Sequence, residues 1–382
     1  MLEIPRVEEV TMEGEECISL RPLWEEVFWE DSKEFTDYYF EEKAARNRAY
    51  ALRIGKDCVS MLHLSPYRMM LRCGCGFAEQ DINYIVGVAT KEKYRHRGYM
   101  DRILRSALSF MKEKRQPFTF LMPANPKIYR PYSFVYIYDR KIYLPKETAP
   151  EEYIPERQFP KELAGHTLLT EKELQDLAEF ATAYLSKNYD LFMKRDMSYY
   201  RVMEKELKTQ NGSIFRLFGK DGGLEGYFLY TEEEGRGEIQ EALFPARRKC
   251  CPVCTSGRKQ PAIMARVVDV EAMFSLLRTR TKDISWTVKI EDAILPHNNG
   301  IWQCRITPDR AFVCKNMQAE EARGGGMGID CLAEIGRLTA WIFGYRKAEE
   351  CFTFLGEREK EDVLEKLNEI RKLGRVFINE IV

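Results

Sequence analysis

Several things are missing from this sequence. No uninterrupted apolar run approaches the ~20 residues that cross a bilayer, and Met1 to Glu9 carries charge where a signal peptide would need an apolar core. Excess charge is missing too: 59 Lys+Arg stand against 60 Asp+Glu, a formal charge of −1. That balance leaves no broad basic face for a nucleic acid, and it makes the short cluster Arg247-Arg248-Lys249 a solvated loop rather than a phosphate track. Internal repeats and low-complexity tracts are absent, which excludes solenoid arrays. These absences predict a cytoplasmic protein with neither a membrane nor a nucleic-acid partner.

What is present is an ordinary globular composition of 382 residues, 45% hydrophobic, long enough for about two or three domains with their own cores. Eleven cysteines without an export signal imply a reducing compartment, where thiols persist. Two clusters, Cys73-Gly-Cys75 and Cys250-Cys251-Pro-Val-Cys254, need weighing, because Cys251 and Cys254 have the spacing of half a zinc site. A closed site needs about four ligands and no histidine lies near either cluster, so no metal is expected.

Periodicity divides the chain. Leu23 to Lys43 has helical spacing broken near Asp31-Ser32; Ala49–Ile54, Val59–Leu64, Tyr67–Cys73 and Asp81–Ala89 read as a meander of strands, punctuated at Ser65-Pro66 and Gly74–Gly76. Met100–Lys114 is helical, Phe118–Met122 is a buried strand, and Phe134–Leu144 alternates. A Pro- and Glu-rich stretch from Lys146 to Pro160 marks a connection. Beyond it, Glu171–Asn188 is helical and three strands follow, to Leu243. A second break at Arg278–Asp283 precedes the strands Trp286–Ile290, Gly300–Ile306 and Ala311–Lys315, with Asn298-Asn299-Gly300 as a turn. Amphipathic helices are predicted over Cys331–Phe343 and Glu359–Leu373, before an apolar extended end, Val376–Val382.

The chemistry concentrates where a strand runs into a helix, Val88-Ala89-Thr90 followed by Arg95-His96-Arg97-Gly98-Tyr99-Met100. Amides at a helix start are unsatisfied and the helix dipole is positive there. A glycine in such a basic turn lets the backbone approach a phosphate closely. His96 supports the loop rather than acting as a base.

The order of elements around this turn resembles the GNAT acyltransferases, whose pyrophosphate loop follows the fourth strand. Val88-Ala89-Thr90 with Arg95-x-x-Gly98 is similar to their acetyl-CoA motif, with Met100 where many members carry Gly or Ala. Met122-Pro-Ala-Asn-Pro-Lys-Ile128-Tyr129-Arg-Pro-Tyr132-Ser-Phe134 resembles the enhanced intracellular survival (Eis) branch, although Arg130 and Ser133 stand where that branch often has glycine. The resemblance implies an α+β, mixed α/β fold of two GNAT-like domains in tandem plus a sterol-carrier-like domain. The catalytic domain would be residues 1–148, a second, degenerate GNAT-like domain 149–283, and a sterol-carrier-protein-like domain 284–382. It further implies acetyl-CoA as cosubstrate bound by Val88, Ala89, Thr90, Arg95, His96, Arg97, Gly98, Tyr99 and Met100. Tyr129 would be the general acid, the Val382 carboxylate the general base, and a homo-oligomer, in that branch often a hexamer, the assembly.

Trp29, Glu30 and Asp31 lie where the branch builds part of its acceptor pocket. Acidic and aromatic groups there suit a cationic amine such as an aminoglycoside, a polyamine or a lysine side chain. A reading from another class stays open: an acetyl-CoA sensor or lipid-binding carrier without catalysis.

Overall fold

The computed structural model describes residues 7–145, 168–219, 221–233, 236–245, 253–316, 328–355 and 357–380. The segment 146–160, the cluster at 247–249, Cys250, Cys251 and Val382 lie outside these. The elements run in chain order as β1 (Val7–Glu13), α1 (Arg21–Val27), α2 (Lys33–Tyr38), β2 (Arg48–Ile54), β3 (Asp57–Cys73), β4 (Gly76–Thr90), α3 (Tyr99–Glu113), β5 (Phe118–Leu121), α4 (Pro126–Tyr129) and β6 (Val135–Pro145). Then come α5 (Glu171–Asn188), β7 (Leu191–Met193), α6 (Met197–Thr209), β8 (Ser213–Phe218), β9 (Leu224–Glu233), β10 (Arg236–Leu243), β11 (Val253–Val267) and α7 (Val270–Ser275). The last part holds β12 (Ile284–Glu291), β13 (Gly300–Ile306), β14 (Ala311–Asn316), β15 (Cys331–Glu334), α8 (Ile335–Ile342), α9 (Ala348–Cys351), β16 (Thr353–Phe354), α10 (Glu357–Glu369) and β17 (Val376–Phe377).

Among the described residues a nine-stranded mixed sheet runs β1-β2-β3-β4-β5-β11-β6, with β7 on the far part of β3 and β17 beside β7. The expected boundary near 148 therefore does not divide this sheet: β11, from the middle block, is hydrogen-bonded between β5 and β6. A three-stranded sheet β10-β9-β8 packs with α5 and α6, and a five-stranded sheet β14-β13-β12-β15-β16 forms the C-terminal part. One hydrophobic core joins the first sheet to the last, from Met12 through Phe118 and Val267 to Trp341. Inside the C-terminal part the space is filled by Phe274, Trp286, Trp341 and Phe352, with neighbouring rings 5.1 to 5.9 Å apart.

Local chemistry accounts for the boundaries. The break at Asp31-Ser32 is real, because the Ser32 hydroxyl accepts from the Phe35 amide at 3.1 Å and starts a new helix. α2 ends in a π turn, Tyr39–Lys43, and a 3₁₀ turn, Ala44–Arg46. α3 buries Ile103, Leu104, Ala107, Leu108 and Met111, the stripe of a helix seated on a sheet.

Two expectations are corrected. Ser65-Pro66 does not interrupt β3, which is continuous over 17 residues. Proline lacks a ladder donor, and Pro66 sits where one edge of β3 has no strand beside it: the β2 ladder ends at Leu64 and the β7 ladder begins at Met69. Cys331–Glu334 is a strand parallel to β12, not the first turn of a helix. Its alternating burial has the period of two that a strand requires, which a short apolar run does not distinguish from a helix.

Candidate active site

A cleft opens where β4 and β5 part. Their ladder consists of one registered pair among the described residues, Tyr84↔Phe120, whose rings stack at 4.9 Å. Beyond this pair β4 is bulged, its register against β3 shifting between His63↔Val86 and Met61↔Ala89. Gly87 holds the bulge at φ +59°, where a Cβ would come within 2.5 Å of the Trp24 ring. The edge of β4 facing away from β3 thus lies open from Val86 to Thr90.

The cleft, of about 420 Å³, is lined by Val88, Ala89, Thr90, Arg95, His96, Gly98, Tyr99 and Met100, together with Val27, Tyr94, Asp101, Ile128 and Tyr132. Eight of the nine residues singled out for cosubstrate binding in the sequence converge here; the ninth, Arg97, lies over the Tyr94 ring at 5.3 Å. Gly98 caps α3 with φ +76° and has open space on the side a Cβ would occupy. The start of the 15-residue α3, the positive-φ pair His96 and Gly98, and Arg95, whose Nε donates to the Thr90 carbonyl at 3.2 Å, form one concave basic turn. This cradle fits a pyrophosphate, and the open edge of β4 fits an extended amide-bearing chain beside it.

Tyr129 closes the short α4, next to Ile128 and Tyr132 of the cleft wall. Its ring meets Phe134 edge-on at 6.0 Å, and burial pushes its hydroxyl up to about 12, so it keeps its proton at neutral pH. The two departures from the Eis pattern are accommodated: Arg130 is right-handed and needs no glycine, and Ser133 adopts φ +62°. That turn is gripped from β11, itself anchored to the C-terminal part. Arg266 Nη1 donates to the Tyr132 carbonyl at 2.8 Å, and its Nη2 pairs with Asp292 at 2.6 Å, both side chains fully buried. Asp292 in turn accepts from the Ile294 and Leu295 amides and from Asn298 Nδ2.

A second cavity, of about 330 Å³, fills the gap along β3 between β2 and β7. Its walls are Ser65, Pro66, Tyr67 and Arg68 of β3, Lys43 and Arg46 of the turns after α2, Tyr199 and Glu206 of α6, and Glu380. Tyr67 of its wall packs against the fully buried rings of Tyr84 at 6.1 Å and Phe120 at 6.4 Å, the pair at which β4 and β5 separate. Lys43 is buried and pairs with Glu206 at 2.7 Å, and Glu206 also accepts from the Tyr38 hydroxyl at 2.8 Å.

Glu380 was not singled out by the sequence reading, although a lone carboxylate inside an apolar terminal strand is the signal that could have found it. It is 3% exposed, accepts from the Tyr199 hydroxyl at 2.9 Å, and lies 3.8 Å from Arg195. Burial pushes its carboxyl up to about 6, against the opposing pull of Arg195 and Lys43. Arg195 is itself committed to Glu241 and Tyr227, and Asn379 donates to the Gln240 carbonyl at 2.8 Å, so the last strand is tied into the middle block.

Trp29, Glu30 and Asp31 line neither cavity. Trp29 is 75% exposed, and Asp31 accepts from Trp24 Nε1 at 2.9 Å, which makes it a support for the Trp24 ring. Among the described residues no group of three or more His, Cys, Asp or Glu is arranged to hold a metal ion, and no helix is long and apolar enough to cross a membrane.

Residues 11–137 match the acetyltransferase (GNAT) domain model and residues 270–379 the sterol carrier protein domain model. No curated protein matches the chain by sequence. Among solved structures it is similar along its whole length to a probable N-acyltransferase from Enterococcus faecalis (TM-score 0.72, 16% identity, 98% of this chain and 99% of that one). It is also similar to a GCN5-related N-acetyltransferase from Anabaena variabilis (0.70, 13%, 96% and 97%) and to Eis1 from Mycobacterium abscessus (0.66, 11%, 98% and 100%). The chain therefore carries a GNAT acetyltransferase domain at its N-terminal end and a sterol carrier protein domain at its C-terminal end, in a mixed α+β fold.

Proposed function

We propose that this enzyme transfers an acetyl group from acetyl-CoA, bound along the β4 edge, to a primary amine held in the cavity beside β3. The observation that carries this reading is the open β4 edge running into the basic turn from Arg95 to Gly98, with a buried carboxylate, Glu380, in the cavity beside β3. Acetyl-CoA supplies an activated acyl carbon as its thioester. The turn from Arg95 to Met100 holds its pyrophosphate by amides and charge, and the free amides of β4 orient its pantetheine arm and polarise the carbonyl.

An amine near pKa ~10 is mostly protonated at neutral pH, so a base must take its proton before or during attack. Glu380 fills that role: its raised pKa makes it a better proton acceptor than an ordinary carboxylate while leaving it mostly ionised at pH 7. One ammonium proton passes to Glu380 to free the nitrogen lone pair; the carbon–nitrogen bond then forms as the carbon–sulfur bond breaks, the Tyr129 hydroxyl gives its proton to the departing sulfur, and the second nitrogen proton leaves to solvent, from which Tyr129 is reprotonated. The terminal carboxylate expected at Val382 lies outside the described residues.

Two tests follow from the roles. Tyr129→Phe should lower kcat by about 100-fold or more while the acetyl-CoA Kd stays within about twofold, read by free-thiol release and calorimetry. Unchanged kcat removes Tyr129 from the chemistry. Gly98→Asp should raise the acetyl-CoA Kd by at least about tenfold, since a side chain at φ +76° is strained and a carboxylate repels the pyrophosphate. An unaltered Kd with an intact fold would relocate the phosphate site.

A further inference from the structure

The second cavity carries more information than the presence of an amine site, because its charged groups differ in how far they are already committed. Three of its five carboxylates are occupied. Glu206 is held by Lys43 and Tyr38. Glu42 is held by Lys205. Asp196 caps α6, accepting from the Tyr199 amide at 3.0 Å and from the Ser198 hydroxyl. Asp81, across the β3–β4 ladder from Arg68, is exposed and makes no ion pair among the described residues. Glu380 remains, with the Tyr199 hydroxyl as its hydrogen-bond donor and Arg195 at a longer 3.8 Å.

The cations divide in the same way. Lys43 is spent on Glu206, and Lys194 on Glu79 at 2.7 Å. The two arginines are held loosely: Arg46 lies 3.8 Å from Glu42, and Arg68 lies 3.4 Å from Glu79 and 4.0 Å from Asp196. Both line the cavity, and their side chains are 62% and 54% exposed, so they stand at its mouth while Glu380 lies at depth. A guanidinium presents parallel donors that match a carboxylate, and a long contact to a protein acid is readily exchanged for a shorter one to a ligand.

Resting on the acceptor-site reading above, we propose that the acceptor is a zwitterion, an amine that also carries a carboxylate, with its amine toward Glu380 and its carboxylate between Arg46 and Arg68. A polycation is disfavoured by the same inventory, which offers one uncommitted acid at depth, Glu380, and sets two loosely held arginines against the single exposed Asp81 toward solvent.

The test uses the full chain with acetyl-CoA and matched acceptor pairs: lysine and cadaverine, glycine and glycinamide, and dipeptides with their C-terminal amides. Free-thiol release gives kcat/KM, and calorimetry in the presence of CoA gives binding of the same compounds. The carboxylate-bearing member of at least one pair should exceed its partner by about tenfold or more, and Arg46→Gln or Arg68→Gln should bring that ratio close to one by raising KM. Preference for free amino acids over dipeptides, or the reverse, separates the two sources of the same chemistry. Equal or better use of cadaverine and the amides, with ratios untouched in the arginine variants, overturns the zwitterion. If Glu380→Gln also leaves turnover intact and no cavity variant alters any KM or binding constant, the fault lies in the acceptor-site reading, and both fall together.

Discussion

Arg266→Met will be among the most destabilising single substitutions in the chain and will also slow catalysis. Arg266 and Asp292 are a fully buried ion pair joining β11 to the segment after β12, at 2.6 Å. Removing one partner of such a pair leaves a buried charge uncompensated, which costs roughly 3–5 kcal/mol. Asp292 retains the Ile294 and Leu295 amides and Asn298 Nδ2, so the fold should survive at moderate temperature with a lower Tm. The informative readout is kinetic. Arg266 reaches the chemistry only through the Tyr132 carbonyl, three residues from Tyr129, so its loss should depress kcat more than KM or the acetyl-CoA Kd. Asp292→Asn, which keeps an acceptor beside the guanidinium, should lose stability with less effect on kcat. Full kcat in a destabilised Arg266→Met would make the pair structural alone, and an unaltered Tm would overturn the account of its burial.

What the sequence disclosed follows the range of each signal. The strand-to-helix turn from Val88 to Met100 is local, and eight of the nine residues singled out in it line one cleft. The helix break at Ser32 and the stripe on α3 are local too, set by a cap and a 3.6-residue period. The bulge at Gly87, the single Tyr84↔Phe120 pair and the insertion of β11 between β5 and β6 depend on which strand lies beside which, and no periodicity within a strand encodes its neighbour. Pro66 illustrates the limit. Read alone it is a turn signal, but in the fold it marks the stretch of β3 without a neighbour, which is where the second cavity opens. The acidic run at Glu30-Asp31 was legible and lines neither cavity, because Asp31 serves Trp24. Lys43, Glu206 and Glu380, far apart in sequence, meet only through the packing of α6 and the last strand.

Glu380→Gln should reverse the usual relation between stability and activity in a single residue. The carboxyl is raised from 4.5 to about 6, first by burial, with Glu206 and Glu241 adding to the rise and Arg195 and Lys43 opposing it. A carboxyl whose folded value exceeds its unfolded one stabilises the fold below the unfolded value, and this contribution is lost as pH rises through the folded one. From 4.5 to about 6 the difference amounts to roughly 2 kcal/mol. Glutamine is neutral throughout and can still accept from Tyr199, so the variant should have the higher Tm at pH 7.5 and no advantage at pH 4. Its activity should move the other way. With the base removed, kcat should fall by about 100-fold or more, and the wild-type limb in kcat/KM, rising through pH about 6 as Glu380 ionises, should vanish from the residual rate. A higher Tm with full activity would keep the electrostatic account and assign the proton to another acceptor; a lower Tm at pH 7.5 would mean that Arg195, 3.8 Å away, repays the ionised carboxylate for its burial.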